Sequence, residues 1–220
     1  MIELPNFDKP FDYENGFYLS CDVTRMSKVL AHYELFKMVL DVPGALVECG
    51  VFKGASLARF AMFRELFGTS YSKKLIGFDT FGEFPQTAFA PDQPVRDRFV
   101  QSAGEQSIAA DQLREVLRRK HCDAFSELVS GDICETVPRY VEQNPALKIS
   151  LLNLDTDIYE PAVAILEHLY PRLERGGVLI LDDYGVFPGE TKAVDEYFAG
   201  SDVKIRKFPF CMTPCYIVKA

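Results

Sequence analysis

ALVECGVFKGASLARFAMFRELF (45–67) is the stretch on which the fold turns. Its first six residues, ALVECG (45–50), are a short apolar run stopped by glycine, the pattern of a buried strand. From Gly54 to Phe67, Leu57, Phe60 and Phe63 recur at helical spacing. Between the two, Gly50 and Gly54 let the backbone turn tightly and approach a ligand closely. Strand, glycine turn, helix is the opening unit of an open α/β sheet.

The same unit repeats along the chain. KLIGFD (74–79), SELVSGD (126–132), ISLLNLD (149–155) and GGVLILDD (176–183) read as further strands. Helices are expected over 105–120, 133–143, Tyr159–Leu173 and Thr191–Ala199. Upstream, Val23, Met26, Leu30, Tyr33, Phe36 and Leu40 predict a helix over 22–40 with that stripe buried, ended by VPG (42–44). Val203–Phe208 and Cys215–Val218 close the chain as an antiparallel edge pair. Strands apolar throughout, alternating with helices, imply a mostly parallel sheet covered on both faces. Residues 80–104, with Pro85, Pro91 and Pro94 and no sustained periodicity, read as a lid or acceptor-binding loop. We expect a single domain over 1–220, with 1–43 as an N-terminal helical cap.

Composition narrows the function. The 220 residues are 48 % hydrophobic and 25 % charged, as in ordinary globular domains. With a net charge of −8 and only Arg118, Arg119 and Lys120 clustered, at a helix end, nucleic acid is not the expected partner. No run of 18 apolar residues is present, so no membrane span is expected. MIELPNFDKP (1–10) lacks the basic and apolar regions of a secretory signal, and we expect a cytoplasmic protein with its six cysteines reduced.

In such sheets ligands bind beyond the carboxyl ends of the strands. The first strand ends in the glycine turn, where Ser56 could cap the next helix. The second ends in Asp79, an acid placed either to accept from ribose hydroxyls or to cap a turn. Together these point to an adenosine-type ligand. Asp132 is read evenly as an acceptor for a base amine or as a helix N-cap. The fourth strand ends in Asp155 and Asp157, the fifth in Asp182 and Asp183. Carboxylates brought this close raise one another's pKa, and a hard cation such as Mg²⁺ would relieve them.

The motifs ECGVFKGAS, GFDTFGEFP, SGDICETVP, LDTDIYEP and LYPRLERGGVLILDDYG, in this order, resemble the macrocin O-methyltransferase family. The resemblance spans about residues 20–200, and the paired LDTDIYE and LDDYG motifs are its most specific part. It departs from the family's usual LDGDLYES at Thr156 and Pro161, and from DTFEGLP at Gly82 and Glu83. The resemblance implies a class I S-adenosylmethionine-dependent methyltransferase fold, Rossmann-like, with a seven-stranded mostly parallel sheet. It implies S-adenosylmethionine and Mg²⁺ as cofactors and a hydroxyl of a small molecule, often a sugar, as acceptor. By the same resemblance Glu48, Gly50, Gly54 and Ser56 would surround the methionine end. Asp79 and Thr80 would meet the ribose, Gly131 and Asp132 the adenine, and Asp155, Asp182 and Asp183 the metal.

The expected reaction is displacement at the sulfonium methyl, for which alignment is the protein's main task. A carboxylate would take the hydroxyl proton, Asp155 first and Asp157 second. His32 is expected to be structural. Aromatics at 81–99 and at Phe11, Tyr13, Phe17 and Tyr18 could cover the acceptor, and the N-terminal helix also suits a homodimer contact. A catechol-type O-methyltransferase and a non-catalytic S-adenosylmethionine-binding protein are the alternatives. A nicotinamide enzyme is disfavoured, because the first turn lacks a full GxGxxG.

Overall fold

The five apolar runs and the two closing segments join one seven-stranded sheet in the computed structural model, which describes residues 1–220. The helices are α1 (Pro10–Ser20), α2 (Val23–Lys37), α3 (Ala55–Phe67), α4 (Gln93–Ala103), α5 (Ala110–Arg119), α6 (Ile133–Gln143), α7 (Tyr159–His168) and α8 (Pro188–Tyr197). The strands are β1 (Ala45–Cys49), β2 (Leu75–Asp79), β3 (Ser126–Ser130), β4 (Ile149–Leu154), β5 (Leu173–Leu181), β6 (Arg206–Lys207) and β7 (Cys215–Val218). Their order is β3-β2-β1-β4-β5-β7-β6; the first five are parallel and β7 runs antiparallel to both neighbours. This is the class I S-adenosylmethionine-dependent methyltransferase arrangement expected from the sequence.

Alternation along the strands divides the core in two. Val47, Cys49, Ile76, Phe78, Leu152 and Leu154 face α6, α7 and α8. Leu46, Leu75, Leu151, Val178 and Ile180 face α2, α3 and α5. The chain leaves β1 toward β2 on one side and returns to β4 on the other, so the switch point lies between β1 and β4. Register aligns Cys49, Leu154 and Leu181 across these strands. The next residues, Gly50, Asp155 and Asp182, therefore emerge side by side. Gly50 has φ +89°, and a Cβ there would lie 1.6 Å from the Asp155 carbonyl oxygen, so only glycine fits.

Several boundaries differ from the sequence reading. α4 occupies 93–103, within the segment read as irregular. Pro94 lies in its first turn, where proline is tolerated, and Arg96 is its one buried residue, so it shows no apolar stripe. α1 adds a helix that buries nothing. Its Phe11, Tyr13, Phe17 and Tyr18 all face solvent, and none of them lines the cavity at the strand ends described below. In α2 the buried stripe is Ala31, His32, Leu35 and Phe36, while Val23 and Leu30 are exposed. A second stripe was present in the sequence, hidden because polar His32 belongs to it.

Candidate active site

At the switch point the strand ends open into a cavity of about 720 Å³. The glycine turn after β1 forms one wall with Gly50, Val51, Phe52 and Ser56, continued by Asp79, Thr80 and Asp132. Asp155, Asp157, Asp182 and Asp183 form the facing wall. Glu48, Gly54 and Gly131 stand behind this surface as framework. Glu48 is fully buried, its Oε1 accepting from the Ser56 hydroxyl at 2.6 Å. Burial pushes its carboxyl up to about 8. Gly54 caps α3 with φ +82°.

Asp79 is committed to the turn itself. Its Oδ2 accepts the N–H groups of Val51 and Phe52, each at 2.9 Å, and its Oδ1 accepts that of Phe81 at 2.6 Å. One carboxylate thus ties the end of β2 to the glycine turn after β1. Asp132 caps α6, accepting from Cys134 N–H at 2.8 Å, and also borders the cavity.

The acids divide into two sets. Asp155, Asp157 and Asp183 each place a carboxylate oxygen within 4.8 Å of the others. Asp182 turns aside to α2, where it pairs with the Lys28 ammonium, and its Oδ1 lies 3.7 Å from His32 Nε2. Lys28 Nζ is also 3.9 Å from Asp155 Oδ2. Arg59 meets His32 Nδ1 at 2.9 Å. A guanidinium only donates, so Nδ1 accepts and the ring proton sits on Nε2, toward Asp182.

The charges follow from these contacts. Burial works against an ionised Asp182, but Lys28 and His32 outweigh it and hold the carboxyl well below the usual range. Asp155 is raised well above its ordinary value by burial and by the Asp182 charge, and Asp183 by burial and Asp157. Burial takes Asp157 up to about 8. Glu190 of α8 adds a further buried acid, its Oε1 accepting from Asp183 N–H at 3.0 Å.

Residues 80–104 are tied to α7 and α8 by two acids. Glu160 Oε1 accepts the N–H groups of Ala88 and Phe89 at 2.8 and 3.1 Å, and Oε2 accepts the Thr87 hydroxyl at 3.0 Å. Asp92, fully buried, accepts from Tyr159 N–H at 3.0 Å and Gly189 N–H at 2.7 Å, the first turns of α7 and α8. A Cβ at Gly189 would fall 1.9 Å from Asp92 Oδ2, which requires glycine there. Phe84, Phe99 and Ala88 from this segment line the cavity. The sequence reading did not single out Lys28, Arg59, Asp92, Glu160 or Glu190. Glu160 carried a signal, as the last residue of the LDTDIYE motif; the others carried none.

The donors suit the implied groups. Three clustered carboxylates, with Asp182 Oδ1 and Glu190 Oε2 buried and unpartnered, fit a hard divalent cation. The turn at Gly50 and the helix N-termini at Gly54 and Asp132 fit a nucleoside-bearing cofactor whose backbone contacts demand close approach.

Demethyldecarbamoylnovobiocin O-methyltransferase of Streptomyces niveus is 30 % identical over 167 residues, 74 % of this chain. A tetracenomycin-C rhamnosyl 4'-O-methyltransferase of Streptomyces olivaceus is 29 % identical over 147 residues, 66 % of this chain. The matched regions span 61 % and 54 % of those relatives' lengths. Among solved structures, the calicheamicin methyltransferase CalS11 superposes with a TM-score of 0.78 at 32 % identity, covering 97 % of this chain and 87 % of its own. The O-methyltransferase NovP, 22 % identical, shares the fold with a TM-score of 0.75 over 88 % of this chain and 79 % of its own. Residues 22–207 match the family model of the macrocin-O-methyltransferases (TylF), and the chain belongs to that family.

Proposed function

We propose that the protein is an S-adenosylmethionine-dependent O-methyltransferase that methylates a sugar hydroxyl of a natural-product intermediate, with Mg²⁺ held by the acids beyond β4 and β5. The observation that carries this reading is the single cavity in which the glycine turn after β1 faces those acids. The names of two relatives support the acceptor class. The Streptomyces olivaceus protein is named for a rhamnosyl 4'-hydroxyl, and CalS11 is described as a TDP-rhamnose 3'-O-methyltransferase.

In this reading Gly50 to Ser56 cradle the methionine end of the cofactor, and Thr80 and Asp132 border its nucleoside. Asp79 serves by holding the cradle closed. Asp155, Asp182 and Asp183 would hold the cation, which when bound lowers the pKa of a hydroxyl it ligates. Asp157, which clusters with Asp155 and Asp183, would then be the acid beside that set. It lines the same cavity without an ion-pair partner, and we assign it the hydroxyl proton ahead of Asp155. The wall of Phe84 and Phe99, held by Glu160 and Asp92, keeps water from the transfer.

Calorimetric titration with S-adenosylmethionine, followed by mass spectrometry of sugar and catechol acceptors with Mg²⁺ present, tests the proposal. Micromolar cofactor binding and a 14-dalton gain on a sugar hydroxyl are expected. A gain on catechols alone would move the acceptor class to phenols. Cofactor binding without methylation of any acceptor would favour a binding protein, and failure of a folded sample to bind would overturn the reading.

A further inference from the structure

Lys28 stands where the sheet brings two strand ends together. It projects from α2 into the cavity, pairs with Asp182 and lies 3.9 Å from Asp155 Oδ2. It therefore bridges acids from two adjacent strands, as a bound metal ion does. Asp182 Oδ1, buried and without a hydrogen-bond partner, faces the same corner. We propose that Lys28 is a tethered counter-charge for Asp155 and Asp182, and that a divalent cation enters this site by displacing its ammonium. The inference rests on the metal reading given above.

The physical grounds are these. Buried carboxylates left without a cation are costly, so the metal-free protein needs a positive charge between β4 and β5. A lysine supplies it as a compact charge on a flexible stem, which can withdraw where a bidentate arginine would stay. Lys28 lines the cavity and keeps 28 % of its side chain exposed. An ammonium and a divalent ion repel each other, so they compete for the same carboxylates. His32 Nε2 remains beside Asp182 after the exchange and keeps that carboxylate oriented. Lys28 is thus a positioning residue that sets the affinity for the cation.

The test is calorimetric titration of the purified full chain with MgCl₂ and MnCl₂, comparing the wild type with Lys28→Met, Lys28→Gln and Lys28→Arg. Removal of the charge in Lys28→Met or Lys28→Gln is expected to tighten cation binding at least tenfold. Lys28→Arg should weaken it, because the guanidinium holds the carboxylate by two donors. Equal or weaker binding in the uncharged variants would overturn the proposal. Absence of cation binding in every protein would overturn it together with the metal reading. S-adenosylmethionine titrations of the same samples report on the methyltransferase reading separately.

Discussion

Replacing Asp79 by alanine separates two roles for this acid. The side chain accepts three backbone N–H groups, from Val51, Phe52 and Phe81, at 2.9, 2.9 and 2.6 Å. Hydrogen bonds to a charged group contribute about 1.5–3 kcal/mol each. Asp79 borders the cavity, so water can re-solvate part of what is lost, and the low end applies. Asp79→Ala should therefore destabilise the cofactor-free protein by about 4–5 kcal/mol, a large share of the total stability of a domain. Urea unfolding without cofactor reads this directly. With a slope of roughly 3 kcal/mol per molar, the midpoint should fall by roughly 1.3–1.7 M. S-adenosylmethionine affinity should fall as well, since the turn from Gly50 to Gly54 loses its tie to β2. If the cofactor-free midpoint is unmoved while affinity drops tenfold or more, the carboxylate acts on the cofactor itself, and the account of Asp79 as the brace of the turn is wrong.

Glu160→Ala removes the acceptor of Ala88 and Phe89 N–H and of the Thr87 hydroxyl, so amide exchange at Ala88 and Phe89 should speed up at least tenfold while β-sheet amides stay unchanged; mass-detected exchange checks this, and unchanged rates would refute the anchoring role. Glu48, with its carboxyl at about 8, keeps in the folded state a proton that the unfolded chain releases near its ordinary value of 4.5. Its contribution to stability therefore falls as pH rises through that window, by at most about 1.4 kcal/mol per pH unit, and levels off above it. Glu48→Gln should gain on the wild type from pH 5 to pH 8 in urea unfolding, and a stability difference independent of pH would refute the shift.

The order of strands and helices was legible in the sequence because β1, β2, β4 and the end of β5 are buried on both faces and stop at glycine or an acid. ALVECG, KLIGFD, ISLLNLD and the start of LDDYG mark local events, and a local pattern needs no knowledge of distant residues. The same locality placed Gly50, Asp79, Asp132, Asp155, Asp182 and Asp183 at strand ends, and the rule that ligands bind there made them candidates. α4 escaped because it buries a charged residue, Arg96, and shows no apolar period.

What each candidate does was decided by contacts that only the folded chain creates. Lys28 meets Asp182 across 154 positions of sequence, and Asp92 meets Gly189 across 97. Asp155 and Asp157, two residues apart, are joined by Asp183 from the next strand end, while Asp182 is drawn aside to α2. α2 turns the face carrying Lys28 and His32 inward together with Ala31, Leu35 and Phe36, and the two polar groups find carboxylate and guanidinium partners on other elements. Hydropathy ranks a side chain by its free energy in water. The cost of burying a charged or polar group is set by its partner, and only the tertiary structure supplies that partner.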